Sequence, residues 1–254
     1  MKRAHRGRKS NFRTLRRQNF SRELAILYED ESVVAVNKPP GLLAVPSPGS
    51  DAPSARSLLA DHLSNHRKSI FTVHRIDRFA SGILLFAKTK ADRETLVRQF
   101  LAHTPIRRYL VVVRGHLRTK QGTLVHHFRK DGMYQTLSSA KDAKSARAEL
   151  TYSVEGDLRG ASLVRVTLHT GLQNQIRVQL AAFGHPVVGD RKYCPEEASE
   201  TRIARVALHA EYLEFSHPRT GERVVESLSL HRISGLSSNH SGRMAVTIDR
   251  EARR

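Results

Sequence analysis

The stretch Val73-His74-Arg75-Ile76-Asp77-Arg78-Phe79-Ala80-Ser81-Gly82-Ile83-Leu84-Leu85-Phe86-Ala87-Lys88-Thr89 decides how this chain is read. Its second half, Ile83 to Lys88, is an apolar run of strand length without polar alternation. Such a run suits a strand buried on both faces. Its first half is a basic loop beside a glycine, with Asp77 between Arg75 and Arg78. A cation within a few ångströms favours the charged form of a carboxylate. Asp77 therefore reads as an ionised group able to act as nucleophile or base. An ordinary Asp–Arg surface pair, worth little, fits the same spacing. Spacing alone leaves both readings open.

Outward from this stretch, helical and strand patterns mix, which predicts an α/β domain. Thr89 with Asp92 forms a capping pair that opens a helix. Its expected inner face is Leu96, Val97, Phe100 and Leu101. Tyr109 to Val113 is strongly β-prone. Upstream, Leu24 to Tyr28 and Val33 to Val36 read as strands around the turn Glu29-Asp30-Glu31. Asn37-Lys38-Pro39-Pro40-Gly41 reads as a loop, since its prolines lack backbone donors and its glycine permits a tight turn. Ala55, Leu58, Leu59 and Leu63 follow helical spacing. Downstream, Val164, Val166 and Leu168 alternate with Arg165, Thr167 and His169, the pattern of a half-buried strand. Gln175 to Phe183 reads as a helix with Ile176 and Leu180 on one face. Val206, Leu208, Leu213 and Phe215 suggest a late hairpin. The polar segment Lys130 to Arg147 reads as an exposed hairpin or insertion.

The chain has 254 residues, with 43 Lys and Arg against 24 Asp and Glu, for a formal net charge of +19. That excess favours a polyanionic partner, with nucleic acid first among them. Met1 to Arg22 carries nine of the basic residues and no acid, and lacks an apolar period. It reads as a disordered basic arm whose phosphate contacts would weaken with salt. A solubilising terminus or an organelle transit peptide has similar composition. Residues 23–233 form one expected domain, followed by a loosely ordered tail over 234–254. No apolar run is long enough to cross a bilayer. With no secretory signal and the single cysteine Cys194, the chain is expected to be soluble and cytoplasmic, with a reduced thiol. No obvious apolar interface segment appears, so a monomer is expected.

Four blocks in order carry a resemblance. The central stretch is similar to the His-Arg-Leu-Asp-Arg signature of the RluA-type RNA pseudouridine synthases, followed by Ser-Gly-Leu and an apolar strand. Tyr28 to Glu31 with Val36 to Leu42 resembles that family's opening block. Arg108 to Gly115 resembles its tyrosine block. Thr170-Gly171, Gln175 to Ala181 and Gly184 to Asp190 resemble its late block, and Ala207-Leu208-His209-Ala210 matches as well. The resemblance spans residues 24 to 230. It implies a central mixed, largely antiparallel sheet flanked by helices. It implies isomerisation of uridine to pseudouridine in structured RNA, with ribosomal RNA ahead of transfer RNA. Asp77 falls on the catalytic aspartate, Tyr109 on the active-site tyrosine and Arg177 on the basic partner of the aspartate. Arg75 falls on the arginine that fills the RNA stack when the uridine leaves. His74, Arg78, Lys38 and Asn174 are expected RNA contacts. No cofactor or metal is implied, because the base only detaches, rotates and reattaches.

The late block departs from the family pattern. Leu172 stands where the family usually has arginine, and Asn174 where it has histidine. Asn174 can still hydrogen-bond, whereas Leu172 carries no charge. These changes keep open a second reading, a non-catalytic RNA-binding or ribosome-assembly protein on the same scaffold. Other signals are weaker. His126-His127 point to opposite faces of a strand, and Cys194, His185 and His209 form no recognised ligand spacing. Gly122, Gly132 and Gly156 form no phosphate-cradling loop, and no Gly-x-Ser-x-Gly elbow occurs.

Overall fold

The computed structural model describes residues 24–49, 51–64, 69–132, 134–194, 203 and 205–228. The basic arm and the tail expected from sequence lie outside these residues. The elements are β1 (Ala25–Glu29), β2 (Val33–Lys38), α1 (Ala55–Ser64), β3 (Phe71–Thr72), β4 (Ser81–Ala87), α2 (Lys90–Leu101), β5 (Ile106–Arg114), β6 (Gln121–Asp131), β7 (Tyr134–Ser138), β8 (Ala146–Leu158), β9 (Ala161–Leu168), α3 (Gln175–Ala182), β10 (Leu208–Ser216) and β11 (Arg223–Ser227). One sheet runs in the order β1-β2-β4-β10-β5-β9-β8-β6-β7, with β11 added to β10 and β3 to β4. The pairing of β4 with β10 is parallel and the other strand pairs are antiparallel. The fold is thus mixed α/β with a largely antiparallel sheet.

The apolar run of β4 is explained by cover on both faces. Val34, Val36, Leu84 and Phe86 pack with Leu59 and Leu63 of α1. Val33, Ala35, Ile83 and Leu85 pack with Leu96 of α2 and with Leu213 and Phe215 of β10. On the other side of β10, α3 lays Ile176 and Leu180 against Val111, Leu150, Val164 and Val166. Thr89 caps α2 as its sequence predicts, its Oγ1 accepting from the Asp92 backbone N–H at 3.1 Å. The stripe behind that cap differs from expectation at its end. Leu96 is buried, but Leu101 is 74% exposed, because Val97 and Leu101 turn toward an open cleft instead of the core.

Two further expectations are corrected. The expected loop at Asn37-Lys38 is the end of β2, where both residues pair with β4. The expected late hairpin between Leu208 and Phe215 is one strand, β10, with a register shift between Ala210 and Tyr212. Before the shift β10 lies beside β4, and from Tyr212 onward β11 occupies that side. At the seam Gly82 has φ +112°, and a Cβ there would lie 2.2 Å from the Ala210 carbonyl oxygen. Only glycine permits both that backbone angle and that approach. The segment 73–80, with Asp77, enters the sheet at this seam. Among the described residues no helix is long and apolar enough to cross a membrane.

Candidate active site

The Asp77 loop is stitched to the loop that follows β2. The Gly41 backbone N–H donates to the Arg78 carbonyl at 2.8 Å, and Arg78 Nε donates to the Gly41 carbonyl at 3.0 Å. Lys38 Nζ lies between the two loops, within 2.7–3.1 Å of the carbonyl oxygens of Pro39, Leu42, Arg78 and Ala80. Lys38 is fully buried, and burial pushes its ammonium down to about 7 while Asp77 opposes that shift. It is therefore a clamp beneath the site and is not positioned to touch RNA, contrary to the expectation from sequence. His74 is also turned inward. Its Nε2 accepts from the Leu85 backbone N–H at 3.1 Å and its ring stacks on Phe100 at 4.6 Å. Burial and the charge of Arg107 push it down to about 3, so it is neutral and brings no charge to a phosphate.

Arg177 reaches this loop from α3, 100 residues away in sequence. Its Nη1 donates to Asp77 Oδ2 at 3.0 Å and to Asn174 Oδ1 at 3.0 Å. Its Nε and Nη2 donate to Asp190 Oδ2 and Oδ1, each at 2.7 Å. The bidentate grip of Asp190 fixes the guanidinium plane, so that Nη1 is left for Asp77. Burial of Arg177 would favour its neutral form, but the two carboxylates hold its pKa above the ordinary arginine value. Asp190 is held low by Arg177 and by the backbone N–H groups of Lys192 and Tyr193. Asn174 supports the same geometry. It adopts φ +55°, a left-handed conformation that asparagine tolerates better than most residues, and its Nδ2 donates to Tyr193 Oη at 3.0 Å. Leu172 packs with Phe128, Ala148, Val178 and Tyr193, which accounts for an apolar residue there.

The Asp77–Arg177 pair stands between two cavities. One, of about 440 Å³, is walled by Ile76, Tyr109, Leu168, Ile176 and Leu208, with Arg107 and Phe100 also lining it. Tyr109 projects from β5 and is 8% exposed; burial pushes its phenol up. The other, of about 650 Å³, is lined by Arg75, Arg78, Arg191, Lys192 and Arg205 around the exposed rings of Phe79 and Tyr134. A mainly apolar chamber thus meets a cationic groove at one carboxylate. Arg75, Arg78 and Asn174 lie at this junction, whereas His74 and Lys38 lie behind it. Among the described residues no three His, Cys, Asp or Glu side chains gather as a metal cluster.

A sequence model described as RNA pseudouridylate synthase matches residues 32–182. The chain belongs to this family. The synthase is 36% identical over 212 residues to the uncharacterized RNA pseudouridine synthase YlyB of Bacillus subtilis, covering 80% of this chain and 67% of that protein. It is 32% identical over 206 residues to the dual-specificity RNA pseudouridine synthase RluA of Yersinia pestis, covering 78% and 95%. Among solved structures, human RNA pseudouridylate synthase domain containing 1 superposes with a TM-score of 0.68 at 25% identity, covering 82% of this chain and 83% of that one. The synthase is an RNA-modifying isomerase with an RNA substrate.

Sequence reading missed Asp190, Arg107 and Gln175 as parts of the site. Gln175 fastens the turn before α3: its Oε1 accepts from Thr170 Oγ1 at 2.9 Å and from the Leu172 N–H at 3.0 Å, and its Nε2 donates to the Glu149 carbonyl at 3.0 Å. Asp190 had one signal, since a lone acid in a Gly-Asp turn some dozen residues after a buried arginine is a natural partner. Arg107 had the signal of sharing a strand face with Tyr109.

Proposed function

We propose that Asp77 is the catalytic group that reacts with the target nucleoside, and that the chain isomerises specific uridines in structured RNA, ribosomal RNA ahead of transfer RNA. The observation that carries this is the 3.0 Å contact of Arg177 with Asp77 beside Tyr109, at the junction of the apolar chamber and the cationic groove. The C1′–N1 bond breaks with its electron pair going to the uracil. The ring turns, C5 bonds to C1′, and the C5 proton is lost to a base and replaced by one on nitrogen. Asp77 reacts with the nucleoside, Arg177 holds it oriented, and Tyr109 stacks on the free base. Flipping the uridine out costs roughly a few kcal/mol, and Arg75 offsets part of it by entering the gap. Arg78 and Asn174 serve the flanking RNA. Relatives named ribosomal large subunit pseudouridine synthase D, 32% identical in Zymomonas mobilis and 34% in Pseudomonas aeruginosa, support the ribosomal preference.

The protein acts in the cytoplasm as a monomer, with the basic arm 1–22 adding phosphate contacts. The test is tritium release from RNA labelled at uridine C5, taken from cells lacking the gene and fractionated into ribosomal and transfer RNA. Wild type should release tritium, chiefly from ribosomal RNA, and Asp77→Asn should not. Release by Asp77→Asn would remove the catalytic role, and release confined to transfer RNA would reverse the preference. Deleting residues 1–22 should weaken RNA binding and flatten its salt dependence; an unchanged slope would take the arm out of the grip.

A further inference from the structure

Arg107 is a buried cation that the described structure leaves without a counter-ion. It is 8% exposed, and among the described residues it has no carboxylate within salt-bridge distance. Among the described residues its side chain makes one hydrogen bond, from Nη2 to the Thr170 carbonyl at 3.3 Å, and its Nε is buried without a partner there. A burial this poorly compensated opposes the charge, and burial does pull its pKa down. The fold nonetheless makes room for the group. Gly171 lies flush against it, where a Cβ would sit 2.6 Å from Nη1, and the guanidinium carbon lies 5.7 Å from the Phe100 ring centre. The side chain lines the same chamber as Asp77 and Tyr109, two residues from Tyr109 on one face of β5. The nearby His74 is neutral, Arg177 is engaged by its own carboxylates and Arg75 is exposed to solvent, so among the described residues Arg107 is the buried cation of the chamber that lacks a carboxylate partner.

The reaction in that chamber generates negative charge. When the C1′–N1 bond breaks, both electrons leave with the uracil, and the detached ring is an anion delocalised over its nitrogen and carbonyl oxygens. We propose that Arg107 is a further catalytic residue, whose guanidinium stabilises the uracil anion between departure of N1 and attack by C5. The proton count is unchanged: Arg107 stays protonated, the C5–C1′ bond uses an electron pair of the ring, and the C5 proton leaves to a base. A cation fixed beside the reacting ring stabilises a transient anion more than the neutral bound base. The cation's own cost is then offset only while the anion exists. This inference rests on the assignment of Asp77 and the isomerisation to this chamber.

The test uses Arg107→Met, Arg107→Lys and Asp77→Asn in the full chain. Single-turnover tritium release from C5-labelled ribosomal RNA should fall about 100-fold in Arg107→Met and be largely retained in Arg107→Lys. RNA affinity should change less than about threefold. Arg107→Met should unfold at the same or higher denaturant than wild type, because an unpaired buried charge has gone; a purely structural arginine would lower it. RNA carrying 5-fluorouridine gives a second readout, the consumption of the fluorinated nucleoside after digestion. Fluorine withdraws electrons and stabilises the detached anion, so the Arg107→Met defect should shrink on this RNA. A defect equal on both RNAs, or matched by lost stability, would overturn the inference, as would release at the wild-type rate. If Asp77→Asn also released tritium, the underlying assignment would fail whatever Arg107 showed. If Asp77→Asn were dead while Arg107→Met matched wild type, only the role of Arg107 would fall.

Discussion

Asp190→Asn separates the two carboxylates that share Arg177. Asp190 is 1% exposed and makes two 2.7 Å bonds to the guanidinium. Its Oδ1 also accepts from the backbone N–H groups of Lys192 at 2.8 Å and Tyr193 at 3.1 Å. An amide has one oxygen for these two tasks. If that oxygen stays in the Oδ1 place, where it also accepts from Arg177 Nη2, the NH2 group takes the Oδ2 place and meets Arg177 Nε donor against donor. Breaking a buried ion pair by removing one partner costs about 3–5 kcal/mol. Arg177 keeps one bond each to Asp77 and Asn174, so the low end applies, about 3 kcal/mol. Urea unfolding should show that loss at unchanged slope. Tritium release at saturating RNA should fall by about tenfold or more, because Nη1 is no longer held in line with Asp77. The double variant Arg177→Met with Asp190→Leu should recover stability by removing both charges, while remaining inactive. Stability of Asp190→Asn within about 0.5 kcal/mol of wild type would place it in the range of a neutral surface change and refute the clamp. A double variant as unstable as the single one would refute the charge-based explanation.

Acid should destabilise the fold through two inward-turned imidazoles, buried His209 and half-buried His74. Burial, the largest cause, pushes the His74 imidazole down from 6.5 to about 3 and that of His209 to about 4. Between pH 4 and 6.5 the unfolded chain therefore binds up to two more protons than the folded one. Their contribution is complete above pH 6.5 and is lost as pH falls, at up to about 2.7 kcal/mol per pH unit. Unfolding curves across that window should show the slope, His74→Gln should roughly halve it, and an unaltered slope would deny the burial. Lys38→Met should leave four carbonyls unserved and cost about 2 kcal/mol in urea unfolding, with turnover reduced more than RNA affinity; equal loss of both would place Lys38 in the RNA contact instead. Gly82→Ala should be among the most damaging small substitutions, because both its φ and the Ala210 carbonyl at 2.2 Å exclude a Cβ; a variant as stable as wild type by thermal unfolding would contradict the seam.

Much of this molecule was legible in one dimension. The uninterrupted apolar run of β4, the Thr89 cap, the alternation of β9 and the α3 stripe all report whether a residue is buried, and periodicity carries that directly. The ordered blocks around Asp77, Tyr109 and Arg177 pointed to the reaction, and charge pointed to RNA. Periodicity does not say what a buried face meets. Val97 and Leu101 therefore read like core although they face a cleft, and β10 read as a hairpin because its register shift breaks the alternation. Lys38 and His74 read as RNA contacts because a cationic or imidazole side chain looks the same in sequence whether it turns outward or in. The tertiary fold decided that the Lys38 ammonium serves four carbonyls, that Asp190 grips Arg177, and that Arg107 has no such partner among the described residues. The first two depend on contacts across 40 and 13 residues of chain, and the contact of Arg177 with Asp77 spans 100. Local sequence determines the type and burial of each element, but the partner of a charge is determined only when separate strands and helices close around it.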